Sequence, residues 1–138
     1  MPPSPTRSDA PIKEMLLRIF VAPAALEPTV GFYEILFGQP CRLRFSYPEK
    51  RLELASVASG NGSVLIIAGE AADLVPFQAT QMTLHVRSLD ASRAALQALG
   101  AVELEAPKRV PTGRNMRMRH PDGLVVESLD GAAGADPA

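Results

Sequence analysis

Apolar residues fall along this chain in two alternating rhythms. Met15 to Val21 is an almost unbroken apolar run interrupted by Arg18, as in a buried strand. From Thr29, the residues Val30, Tyr33, Leu36 and Phe37 recur at helical spacing, with Pro28 suited to a first turn and Gly38 to a C-terminal cap. Arg42 to Ser46 then sets Leu43 and Phe45 against Arg42 and Arg44, and Arg51 to Val57 sets Leu52 and Leu54 against Glu53 and Ala55. Ser59-Gly60-Asn61-Gly62 predicts a hairpin leading into a strand over Val64 to Ala68. The block reads strand, helix, strand, strand, strand.

After Glu70 to Ala79, a linker with Pro76 near its middle, the same order returns. Gln81 to Arg87 is a strand. Leu89, Ser92, Leu96 and Leu99 mark one helix face, with Ser88 or Asp90 as N-cap and Gly100 as its end. Val102 to Leu104, Asn115 to Arg119 and Leu124 to Leu129 supply three strands, the last opened by the Pro121-Asp122-Gly123 turn. Val21 thus corresponds to Val86, Gly38 to Gly100, and Ile66 to Glu127. A repeat of this period predicts an α+β fold of tandem βαβββ modules. One domain spans 14–130, built of modules 14–69 and 80–130 joined by linker 70–79. Residues 1–13, with four prolines, and residues 131–138 are expected to be disordered tails.

Strand alternation assigns faces. Met82, Leu84 and Val86 are expected to pack on the second helix, and Met15, Leu17, Ile19 and Val21 on the first. That leaves Leu16, Arg18, Phe20, Gln81, Thr83 and His85 on the opposite face, with Ile66 and Glu127 inward on the closing strands. Met116 and Met118 belong to the core, turning Asn115 and Arg117 to the other side. Such a lining, mostly apolar with a few convergent polar groups, suits a small-molecule pocket. Glu127 has Arg18 and Arg117 as ion-pair partners across it, or His85 as an acid–base partner. Arg42, Arg44 and Arg51 read as a solvated strand face, and His120 as a structural residue at a turn.

Composition narrows the class. With 138 residues, 46% of them apolar, 21% charged and a net charge of −1, the chain is long enough for a real core. It has no basic surplus to displace counterions from nucleic acid, no apolar run of bilayer length, and no signal-peptide stretch at its proline-rich start. Cys41 is the single cysteine, so no internal disulfide forms and the cytoplasm is the expected compartment.

Three segments in the right order carry a resemblance: Gly31-Phe32-Tyr33-Glu34-Ile35-Leu36-Phe37-Gly38, Leu84-His85-Val86-Arg87-Ser88-Leu89-Asp90, and His120-Pro121-Asp122-Gly123-Leu124-Val125-Val126-Glu127. With the duplicated module, they resemble the vicinal-oxygen-chelate superfamily of glyoxalases, extradiol dioxygenases and bleomycin-binding resistance proteins. The resemblance implies sheets curled into an open barrel around a cavity, commonly in a homodimer. It also implies a divalent ion held on the first and last strands of each module. By position those stations fall on Leu16, Ile66, Gln81 and Glu127, and a register shift brings Arg18 or Phe20 there instead. Hydrocarbon side chains have no lone pairs to offer an ion, so the chain is expected to hold neither metal nor other cofactor.

Three functions follow, in this order. The first is a metal-free protein, not an enzyme, that sequesters a small organic ligand such as an antibiotic. Leu16, Arg18, Phe20, Ile66, Gln81, Thr83, His85, Asn115, Arg117 and Glu127 would line its site. The second is a glyoxalase- or dioxygenase-like enzyme (a lyase, isomerase or oxygenase), with Glu127 and His85 as catalytic candidates or a metal site in another register. The third is an interaction module with no small-molecule role.

Overall fold

The structure, a computed structural model, describes residues 11–131. The first module runs β1 (Ile12–Val21), α1 (Leu26–Phe37), β2 (Leu43–Tyr47), β3 (Leu52–Ala58) and β4 (Ser63–Ala68). A short helix α2 (Ala71–Leu74) lies in the connection. The second module runs β5 (Met82–Val86), α3 (Leu89–Ala98), β6 (Val102–Val110), β7 (Gly113–Arg119) and β8 (Val125–Leu129). The predicted repeat is therefore present element for element. Strand β1 starts at Ile12, so Ile12 and Lys13 are strand residues where a tail was expected. Residues 1–10 and 132–138 lie outside the described residues. The linker is partly helical, through α2 and a 3-10 turn at Val75–Phe77.

All eight strands form one sheet in the order β2-β3-β4-β1-β5-β8-β7-β6. Within each module the first and last strands pair in parallel, β1 with β4 and β5 with β8. The modules join along the antiparallel pair β1–β5, where Leu16 faces Thr83. The sheet curls, as in the vicinal-oxygen-chelate fold, with α1 and α3 on its convex face.

Local chemistry sets the helix ends. Gly38 takes the left-handed conformation (φ 67°) that caps α1, and its N–H reaches Glu34 and Ile35 carbonyls. Ser88 caps α3, its Oγ accepting from the Ala91 N–H at 3.1 Å. Under α1, Val30 packs with Ala55, Val57, Val64 and Ile66; under α3, Leu89 packs with Leu84, Val86, Met118 and Val126.

One expectation about packing is corrected. Met15 and Leu17 do not lie under a helix: they are 56% and 60% exposed, because α1 and α3 cover the flanks of the sheet and leave the middle of its convex face open. Helix α1 is apolar on two sides, with Phe32, Ile35 and Leu36 facing outward. The helix therefore presents an exposed apolar surface.

A candidate ligand cavity

The concave face encloses a cavity of about 250 Å³ whose two sides differ in chemistry. Strands β2, β3 and β4 supply hydrocarbon and rings: Leu43, Phe45, Tyr47, Leu52, Leu54, Leu65 and Ile67, continued by Pro76 and Phe77 after α2. Strands β1, β5, β7 and β8 supply Glu14, Arg18, Thr83, His85, Asn115, Arg117 and Glu127. The β6–β7 hairpin adds Glu105, Lys108 and Thr112 at the rim, and Arg42 and Ser56 bring polar groups to the Glu14 end. Five cationic side chains thus line the cavity against three carboxylates, Glu14, Glu105 and Glu127.

Its centre is a connected polar chain. Arg18 Nη1 donates to Thr83 Oγ1 at 3.4 Å, and Thr83 Oγ1 donates to Glu127 Oε1 at 3.1 Å. Asn115 Nδ2 donates to the other Glu127 oxygen at 2.6 Å, and Arg18 Nη1 stands 3.7 Å from Oε1. The Arg18 side chain is 5% exposed and lies over the Phe20 ring, 5.7 Å from its centroid. Burial lowers the Arg18 pKa, Glu127 opposes that shift and Arg117 adds to it, yet a guanidinium stays charged at neutral pH.

At one end Glu14 accepts two bonds from Arg42 (2.7 and 2.8 Å) and one from Ser63 Oγ at 2.5 Å. Burial works against the Glu14 charge, but the Arg42 and Ser63 bonds outweigh it and hold the carboxyl below its ordinary value. His85 is 2% exposed and neither ring nitrogen has a hydrogen-bond partner. Burial, with the charges of Lys13 and Arg42, outweighs the pull of Glu14 and Asp130 and keeps the imidazole below its ordinary 6.5. At neutral pH it is an uncharged ring offering one donor and one acceptor.

Of the ten residues expected at the site, Leu16, Arg18, Thr83, His85, Asn115, Arg117 and Glu127 line this cavity. Three do not. Ile66 points to the opposite face and packs with Val30 beneath α1, so Leu65 and Ile67 hold the inward positions on β4. Gln81 is exposed ahead of β5, its N–H bonded to the Val125 carbonyl. Phe20 serves the site indirectly, beneath the Arg18 guanidinium. Glu127 bonds to Thr83 and Asn115 and pairs with Arg18, so no Glu127–His85 bond forms. Arg42 is corrected from a solvated position to a cavity residue bound to Glu14, whereas Arg44 and Arg51 make surface pairs with Glu27 and Asp73. Glu14 could have been found by carrying the Leu16–Arg18 alternation two residues upstream.

The parallel ladders set Arg18 beside Leu65 and Thr83 beside Glu127, which fixes the inward quartet at the first and last strands of the two modules. Its chemistry does not fit a divalent ion. Leucine has no donor, a guanidinium repels cations, and the one carboxylate is already engaged. Among the described residues no three of His, Cys, Asp or Glu come together as a ligand set.

No protein-family model matches the chain, and no curated protein matches it. Solved structures do. The chain is similar to a hypothetical protein from Methanosarcina mazei, with 40% identity, a TM-score of 0.77, and coverage of 89% of this chain and 95% of that one. Methylmalonyl-CoA epimerase from Mycobacterium tuberculosis matches at 19% identity and a TM-score of 0.64, over 91% and 95% of the two chains. A Streptomyces coelicolor methylmalonyl-CoA epimerase in complex with 2-nitronate-propionyl-CoA matches at 19% identity and a TM-score of 0.56, over 89% and 98%. The chain belongs to one family with the Methanosarcina mazei protein, and the fold they share is that of the vicinal-oxygen-chelate superfamily.

Proposed function

We propose that this protein binds a small amphipathic organic molecule in the cavity, without a metal ion, and sequesters it unchanged. One observation carries the reading. Among the described residues, eight hold a buried polar side-chain atom with no hydrogen-bond partner, and six of them (Arg18, Arg42, Ser56, His85, Asn115 and Arg117) line this single cavity. Such atoms are costly, roughly 1–3 kcal/mol each, and a fold that needed them only for packing would spread or pair them. The hydrocarbon wall opposite supplies the apolar half of a recognition surface. Sequestration of an antibiotic, as by bleomycin-binding members of the superfamily, is one form this role takes.

Native mass spectrometry and calorimetry on the purified protein test it, with a panel of amphipathic natural products and elemental analysis of the same sample. The expected result is one ligand per cavity, no turnover, and metal far below one equivalent. Near-stoichiometric metal lost on Glu127→Ala would overturn the reading.

A second reading is a metal-independent enzyme of this fold. The neutral, unpartnered His85 favours it, being able to take up a proton without first losing one. Product formation abolished by His85→Gln would establish that alternative. The proposal further includes a cytoplasmic homodimer, supported by the lone cysteine and by the outward apolar face of α1.

A further inference from the structure

We propose that the Arg18 guanidinium, at the inward position of β1 beside Leu65 and in the quartet with Thr83 and Glu127, is the cation that recognises the ligand of this cavity. It selects a small molecule carrying a carboxylate or similar oxyanion over its neutral counterpart. The inference rests on the cavity being a binding site, and it adds what that site grips and with which residue.

The geometry supplies the reasons. Arg18 stands in the inward quartet with Thr83 and Glu127, and both hold it through Nη1 alone. Its Nε has no partner, and its side chain is almost wholly withdrawn from solvent while lining the cavity. A guanidinium fixed at one corner, with the Phe20 ring beneath, is oriented before a ligand arrives and loses little freedom on binding.

Charge balance favours an anion. Glu127 faces Arg18 and Glu14 faces Arg42, one to one, while Glu105 lies between Lys108 (3.3 Å) and Arg117 (3.9 Å). Among the described residues no carboxylate lies within ion-pair distance of Lys50, which also lines the cavity. The cavity as a whole thus carries a positive surplus, and the Arg117 charge, which shares Glu105 with Lys108, acts on Arg18. An oxyanion entering there relieves that repulsion, and its apolar remainder meets Leu54, Leu65 and Phe45.

The test uses a matched pair of probes, 3-phenylpropionate and 3-phenylpropionamide, titrated by NMR into the wild-type protein, Arg18→Gln and Arg18→Lys. The acid is expected to bind the wild type at least about tenfold more tightly than the amide, the scale of a charge-assisted contact. Arg18→Gln should erase that preference, and Arg18→Lys should keep part of it. Equal binding of acid and amide to the wild type would overturn the Arg18 assignment and leave the cavity reading standing. Failure of both probes to shift any cavity resonance would overturn both.

A second arm needs no organic ligand, and it remains decisive if Arg18→Gln does not fold. Cobalt(II) alone is added to the wild type and to the Arg18→His/Thr83→His variant. Visible absorption of a coordinated ion is expected in the variant, dependent on Glu127, and absent from the wild type. A Glu127-dependent cobalt spectrum in the wild type would refute the proposal.

Discussion

His85 couples its protonation to the fold. Its folded pKa lies below the ordinary 6.5 because burial, Lys13 and Arg42 disfavour the charged ring. The unfolded chain therefore takes up a proton on this residue more readily than the native state does. Stability rises with pH through the region just below 6.5 and falls on acidification through the same window. Thermal melts between pH 7.5 and 5 should show a falling Tm, and His85→Phe should flatten that slope. Glu14 acts lower on the scale: its depressed pKa gives stability that is present above the ordinary carboxyl value and lost as pH falls through the folded one. Glu127 calls for a different measurement. Glu127→Ala leaves the guanidinium of Arg18, 5% exposed, without its carboxylate. Urea unfolding should register a loss of about 3 kcal/mol, the lower end for a broken buried pair because Glu127 itself is 21% exposed.

At the scale of elements, the caps are the most direct test of local determination. Ser88→Ala removes the bond to the Ala91 N–H and should cost about 1 kcal/mol, read as an unchanged m-value with a lower urea midpoint. The same alternation that makes a strand legible also explains where the sequence misled. On β5 each inward residue has a neighbour pressed against α3, so Thr83 and His85 could be read from the sequence as cavity residues. On β4 every residue from Ser63 to Ala68 is buried, and a strand buried on both faces carries no contrast by which to choose a side. Ile66 was expected inward because the repeat was aligned to pair it with Glu127, and nothing in the β4 pattern exposed the one-residue slip. Gln81 failed differently: β5 begins at Met82, and one residue outside the ladder the parity no longer holds. Arg42 was unreadable from periodicity because it precedes β2 and reaches the cavity by side-chain length, to a carboxylate 28 positions upstream.

For the whole molecule, the convex surface and the seam between modules each have a consequence. Phe32, Ile35 and Leu36 give α1 a second apolar side, an arrangement suited to a helix covered on both sides. Light scattering is expected to report a dimer for the wild type, and a monomer with an unchanged circular dichroism spectrum for Phe32→Glu/Ile35→Lys. The repeat itself was legible throughout, since it rests on the order of elements and not on the facing of any one side chain. Among the described residues the β1–β5 ladder is the sole strand pairing across which the two halves of the chain meet, and Leu74 and Phe77 pack with the first half. A break after Ala79 would leave every strand pairing of the sheet in place. Fragments 1–79 and 80–138, made separately and mixed, should find one another as two interlocking pieces and rebuild the intact spectrum. Neither piece alone would close a cavity, so ligand capture would become a reporter of their reunion.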